Sequence, residues 1–246
     1  MTHTQWLLHK VFNPKVLTIC ALTIPFSFSQ VTLAAYKPPP DQKPPSGYTE
    51  SSGTRGRCKA SDADSLTLLA PVTHIGQTTS THPTFAWFVS NHQRVLLEFS
   101  IYELSSNEQL KLTYKSRLQS SPGIMKVSVP ETLPGLALGK NYLWQVEILC
   151  DFNHPSRNLL ATADIAIVPI PGSLQDALYR KRDRTQRASL YAEAGMWYDA
   201  LGEALANSSD GQLGKLAINL LKDLANLEKS PQIKDLYLIA LEKHNF

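Results

Sequence analysis

From residue 84 onward apolar side chains recur at every second position: Phe85, Trp87 and Val89 fall on one side, Thr84 and Ala86 on the other. The alternation returns at Val95, Leu97, Phe99 and Ile101 against Glu98 and Ser100, and at Leu110, Leu112 and Tyr114 against Lys111, Thr113 and Lys115. Met125, Val127 and Val129 alternate with Lys126 and Ser128, and Tyr142, Trp144, Val146, Ile148 and Cys150 with Gln145 and Glu147; residues 159–168 are apolar on both sides. Period two is the mark of a strand with one buried face. With a leading segment over 66–71, the pattern predicts seven strands, separated by Pro, Gly, Asn and Ser and with no helical period between them. Such spacing predicts an antiparallel β-sandwich.

After Pro169 and Pro171 the period lengthens to 3.6, with Ser173 placed to cap a first helix and Asp176 three residues on. Helical patterning continues to the end of the sequence, broken at 207–211 and near Ser230 and Pro231, with amphipathic segments over 213–227 and 233–241. Three local patterns refine the fold. Leu138, Gly139, Lys140, Asn141 and Tyr142 resemble the tyrosine corner of immunoglobulin-like and fibronectin type III domains, in which a tyrosine hydroxyl bonds back to the corner's backbone. Pro83 to Trp87 resembles the second strand of such domains, with Trp87 as the core aromatic. Ala188 to Tyr191 followed by Gly195 to Ala200 resembles one tetratricopeptide (TPR) hairpin. The fold class expected is therefore β + α in two parts: an antiparallel immunoglobulin/fibronectin-III-like β-sandwich, then a small TPR-like helical array.

At the other end, His3, His9, Lys10 and Lys15 precede an uncharged run over 16–28 and the small-residue site Thr32-Leu33-Ala34-Ala35, the layout of a secretory signal peptide cleaved near Ala34 or Ala35. About 13 apolar residues at ~1.5 Å each reach ~20 Å, short of a ~30 Å hydrocarbon core, so a membrane anchor is not expected. Residues 36–57 carry Pro38, Pro39, Pro40, Pro44 and Pro45 with almost nothing to bury, which predicts an extended or mobile leader. The expected organisation is signal peptide 1–35, leader 36–57, β-sandwich 58–170 and helical region 171–246. It places the protein outside the cytoplasm, in the periplasm or beyond, with no transmembrane span in the mature chain.

Composition changes this picture little: 43% hydrophobic and 18% charged residues are ordinary for a chain that buries a core. Cleavage removes Lys10 and Lys15 and no acids, leaving 22 basic and 21 acidic residues, a formal charge of +1 that predicts no nucleic-acid partner. It also removes Cys20. Cys58 and Cys150 then remain in an oxidising compartment, where a disulfide between them is the expected state.

Candidate chemistry is sparse. His74 and His82 lie eight residues apart, with no hairpin or helical register to aim both rings at one ion and no nearby acid or cysteine, so no metal is expected. The loop 151–158 gathers Asp151, Asn153, His154 and Ser156 near Cys150, but these are also turn-forming residues, and nucleophilic catalysis draws its groups from separate elements. Met196, Trp197 and Tyr198 at a helix junction read as packing residues. No nucleophile elbow, phosphate loop, dinucleotide fingerprint or zinc-protease motif occurs in the sequence. The strongest lead is a basic run, Arg180, Lys181, Arg182, Arg184 and Arg187, opposed only by Asp183. At helical spacing Arg180, Arg184 and Arg187 share a face suited to a protein or an anionic envelope component.

The stretches "LAPVTHIGQTTSTHPTFAWFV", "LQSSPGIMKVSVPE", "YLWQVEILCDFNHPS" and "YAEAGMWYDALGEALA" resemble a family of exported cyanobacterial proteins known only as a domain of unknown function, DUF928-like. The resemblance runs from about Cys58 to Leu227 and implies a compartment and a lineage, with no activity, cofactor or catalytic residue attached. The expectation is thus an exported, non-catalytic binding or scaffold protein of the cell envelope. Two other classes stay open: a carbohydrate-binding sandwich, and a hydrolase built on the 151–158 loop.

Overall fold

A computed structural model describes residues 35–45, 66–90, 94–105, 109–150, 153, 158–206, 208 and 211–244, with the side chains of 242–244 set aside. Eight strands are present among these: β1 (Leu66–Leu68), β2 (Gly76–Thr78), β3 (Thr84–Val89), β4 (Leu96–Leu104), β5 (Leu110–Gln119), β6 (Gly123–Ser128), β7 (Asn141–Ile148) and β8 (Leu159–Ile167). They form a three-stranded sheet, β1-β3-β6, and a five-stranded sheet, β2-β8-β7-β4-β5. Five helices follow: α1 (Gly172–Tyr179), α2 (Arg184–Glu193), α3 (Trp197–Leu205), α4 (Lys215–Glu228) and α5 (Pro231–His244).

The inward phase of the sequence becomes the contact between the sheets. Phe85 of β3 lies 5.1 Å from Phe99 of β4 and 5.0 Å from Trp144 of β7, centroid to centroid, and Trp87 stacks on Phe99 at 5.8 Å. These rings are fully buried. Aromatic pairs at such separations add to the burial of their area. At the entry to β7 the Tyr142 hydroxyl accepts a hydrogen bond from the Ala137 backbone N–H at 2.8 Å, the bond expected of a tyrosine at this corner.

The antiparallel expectation needs correcting in one place: β2 runs parallel to β8, from Gly76 opposite Ile165 to Thr78 opposite Ile167. The expected first strand over 66–71 is only β1, and an eighth strand that was not expected, β2, follows in the other sheet, the chain crossing between them over 69–75. β5 also departs from its pattern. It is the edge of the five-stranded sheet, and Leu110 and Leu112 are 39% and 49% exposed. Tyr114, the third residue of that phase, does reach the core, edge-on to Phe99 at 6.0 Å. At the helices, α1 starts at Gly172 after Pro171, with no side-chain cap, so Ser173 lies inside the helix it was expected to cap.

The expected junction at 169–171 is a change of secondary structure and not a gap in the core. Leu33–Phe246 forms one compact unit, and its buried apolar residues make one cluster from Leu66 and Phe85 to Trp197, Leu221 and Leu236. Met196, Trp197 and Tyr198 carry the contact, as packing residues. Trp197 Nε1 donates to the Leu69 carbonyl at 2.9 Å, and the Tyr198 hydroxyl accepts from Trp144 Nε1 at 2.8 Å while donating to the Asp164 carbonyl at 3.0 Å. On the outward phase of the three-stranded sheet, Phe88 and Ile124 line an apolar pocket with Leu213, Leu236 and Ile239. Lys126 reaches from the same phase to the Leu205 carbonyl at the end of α3.

The leader is also tied down over its described part. Tyr36 is 2% exposed, its ring edge-on to Trp197 at 4.9 Å, and Lys37 N donates to the Ala192 carbonyl at 3.0 Å. The prolines near Tyr36 predict a leader with almost nothing to bury; over its described part Tyr36 and Pro39 are buried.

Candidate functional site

The basic run divides where the sequence suggested a single helix face. α1 ends at Tyr179, and Arg180 is its C-terminal cap, its N–H donated to the Ala177 carbonyl. The chain then leaves helical geometry, and Asp183 starts a new helix by accepting a hydrogen bond from Gln186 N at 3.0 Å. A side-chain acceptor at this position satisfies one of the N–H groups that every helix start leaves open. Arg180 therefore sits on a different element from Arg184 and Arg187, and the three share no helix face.

Arg184 and Arg187 have work of their own. Arg184 Nη1 donates to Glu203 Oε2 at 3.0 Å and Arg187 Nε to Glu203 Oε1 at 2.6 Å, so one carboxylate on α3 receives both guanidinium groups of α2. Arg187 also lies 5.8 Å over the Tyr191 ring. The Glu203 hydrogen bond holds the Arg187 guanidinium above its ordinary pKa, more than burial lowers it. These two arginines brace the α2–α3 hairpin, and as half-exposed pairs they contribute modestly to stability.

What the turn between α1 and α2 leaves open is Tyr179, Arg180, Lys181 and Arg182. Tyr179 is 93% exposed, the three cations beside it are exposed, and none of the three makes an ion pair with a described residue. The adjacent Asp183 carboxylate is engaged as the α2 cap. Guanidinium groups bind carboxylates, phosphates and sulfates through paired N–H donors, and an exposed ring beside them adds apolar contact.

The other sequence candidates have structural employment. His82 Nε2 lies 3.2 Å from the Leu133 carbonyl and Nδ1 3.1 Å from Thr81 Oγ1, which ties the entry of β3 to the β6–β7 connection. His74 is buried, its Nε2 2.8 Å from the Tyr36 hydroxyl and its Nδ1 3.6 Å from Glu228 Oε1. Burial disfavours its charged form. Glu228, its carboxyl lifted by burial, accepts the backbone N–H groups of Val72 and Thr73. Among the described residues no group of three or more His, Cys, Asp or Glu is placed to hold a metal ion.

In the 151–158 loop, Asp151, Phe152 and residues 154–157 lie outside the described residues, as does Cys58. The neighbouring Cys150 is half-buried just past β7, where its N–H donates to Asn158 Oδ1 at 3.0 Å and Asn158 Nδ2 donates to Glu147 at 2.7 Å. Two groups that matter here escaped the sequence reading. Glu203 lies 16 residues beyond Arg187 and 19 beyond Arg184, outside any local rule, whereas Tyr36 is the aromatic that heads the proline run.

In comparison with known families, the model of a family described as Domain of Unknown Function (DUF928) matches residues 50–232. No curated protein matches the chain.

Proposed function

Since the chain belongs to the DUF928 family, we propose that it is an exported, non-catalytic binding protein of the cell envelope that grips an anionic envelope component through the 179–182 turn. The observation that carries this reading is the fully exposed Tyr179 beside Arg180, Lys181 and Arg182, whose charges no described residue neutralises. The two helices set the turn's position: Arg184 and Arg187 lock α2 to α3, and α3 is anchored in the sheets. Among the described residues the tryptophans offer no platform of the kind that stacks sugars, since Trp87, Trp144 and Trp197 are all fully buried.

Pull-down from envelope fractions tests the proposal. A cation close to a negatively charged surface contributes about 1 kcal/mol, so replacing Arg180, Lys181 and Arg182 together by glutamine weakens capture about 100-fold, and added salt weakens wild-type capture in the same direction. Replacing Arg184 and Arg187 by glutamine lowers stability and leaves capture in place. Undiminished capture by the triple variant would show that this turn is not the binding surface.

The same reading includes the finer fold. A three-stranded sheet facing a larger one, with Tyr142 bonded to the backbone of Ala137, supports an immunoglobulin/fibronectin-III-like sandwich. The α2–α3 hairpin, closed by Gly195 at φ +80°, supports one TPR-like unit. Export also makes a Cys58–Cys150 disulfide part of the proposal, worth about 4–5 kcal/mol for a loop of this length on the chain-entropy account. Mass mapping of the non-reduced exported protein is expected to recover the two cysteine peptides linked. Two free thiols would remove this element.

A further inference from the structure

We infer that residues 36–45 are the docked N-terminus of the processed protein, and that Asp223 receives the α-ammonium group which cleavage between Ala35 and Tyr36 leaves on Tyr36. The inference rests on the export reading and extends it to a processing site and a docking site.

Two features meet at one bond. The sequence places a small-residue cleavage site over 32–35. Ala35 is exposed, whereas Tyr36, its neighbour, is buried. The scissile region and the first anchored side chain are thus adjacent. A chain cut between Ala35 and Tyr36 begins where its own packing begins.

The segment is built into its seat. Tyr36 reaches His74 with its hydroxyl at 2.8 Å and Trp197 with its ring. Lys37 N bonds the Ala192 carbonyl, and the Lys43 carbonyl accepts Ile75 N at 3.1 Å. Pro39 and the Lys37 carbonyl close on the α2–α3 turn so tightly that a Cβ on Gly195 would stand 3.1 Å from each, at a positive φ that already favours glycine. At the head of the segment, Tyr36 N donates to Asp223 Oδ2 at 3.3 Å.

That carboxylate faces the Tyr36 nitrogen directly. Burial lifts the Asp223 carboxyl above its ordinary range, with the Tyr36 N–H and the Lys222 charge pulling it back down. In an uncut chain the group facing it is a neutral N–H with one hydrogen. Hydrolysis changes that: water adds across the peptide bond, the new carboxylate departs with the leader, and the nitrogen left behind protonates. An ammonium brings a full positive charge and three donors, and charge-assisted bonds are about twice as strong as neutral ones. Export processing, by a signal peptidase, would therefore strengthen the anchor it exposes.

The test begins with N-terminal sequencing of the exported protein, which is expected to start at Tyr36. Chains with that start are then prepared with a free or an acetylated α-amine, with and without Asp223→Asn. Acetylation is expected to lower Tm by about 2–4 °C with Asp223 in place, from a loss of roughly 1 kcal/mol, and to change it by much less in the Asp223→Asn background. A start at any other residue would overturn the processing site, and a chain left uncut would overturn the export reading as well. A correct start with equal acetylation effects in both backgrounds would overturn the pairing with Asp223 alone.

Discussion

Trp197→Ala is expected to lower the melting temperature of the entire chain by about 6–20 °C, the equivalent of losing roughly 3–5 kcal/mol. Trp197 opens α3 and is fully buried, yet its neighbours come from three separate stretches of sequence. Its Nε1 bonds the Leu69 carbonyl just past β1, its ring meets Tyr36 of the N-terminal segment, and it joins the cluster that holds the rings of both sheets. Truncation leaves a cavity at the place where these parts meet and takes the indole donor from a buried carbonyl, two costs that add. Trp197→Phe separates them. It keeps most of the packing and loses the hydrogen bond, so it should cost less than half as much. Because the cavity belongs to sheets and helices together, far-ultraviolet dichroism of the helices and fluorescence of Trp87 and Trp144 should shift by the same amount. A variant that melts its helices early while the sheets keep their wild-type transition would show that α3 is only loosely coupled to them.

Tyr198→Phe removes one oxygen and is expected to cost about 2–4 kcal/mol, with a Tm lower by about 4–16 °C. The hydroxyl is fully buried and holds two groups at once: it accepts from Trp144 Nε1 and donates to the Asp164 carbonyl. Burial raises its pKa well above the ordinary tyrosine value, so the phenol stays protonated and can keep both roles. Phenylalanine leaves an indole N–H on β7 and a carbonyl on β8 without this partner, deep in the core. The effect should be strongly non-additive with Trp144→Phe, which removes the donor whose desolvation Tyr198 offsets. Urea melts of the two single variants and the double variant measure the coupling. Simple addition of the two losses would contradict this bridge between helix and sheet.

The parts of this architecture that could be read from sequence are those with a local cause. Phe85, Trp87 and Val89, or Tyr142, Trp144, Val146 and Ile148, point inward because alternate side chains of a strand share a face, and no other element has to be known for that. The ends of α4 and α5 fall within a few residues of their apolar period for a similar reason. What could not be read depends on which elements become neighbours. Leu110 and Leu112 follow the strand pattern but lie on an edge, and period two does not distinguish an edge from a centre. β2 has only three residues and earns its place by pairing with β8, far along the chain.

The basic run holds a more instructive miss, since the correcting signal was present. Asp183 with Gln186 three residues later is the start signature of a helix, and it lies inside the charge cluster. Counting 3.6 residues per turn from Arg180 across that start joins two helices into one. Once Asp183 is recognised as a cap, Arg180, Lys181 and Arg182 fall in a turn, and the exposure of Tyr179 follows from its place at the end of α1. The pairing of Arg184 and Arg187 with Glu203 has no such local signature, because it depends on the α2–α3 hairpin closing at Gly195.

All of these effects presuppose that sheets and helices are one cooperative body whose core passes through Trp197 and Tyr198. Scanning calorimetry of the processed protein tests this most directly. The account predicts a single endotherm over the whole chain, with a calorimetric enthalpy equal to the van't Hoff value. Two resolved endotherms, one assignable to the strands and one to the helices, would contradict it.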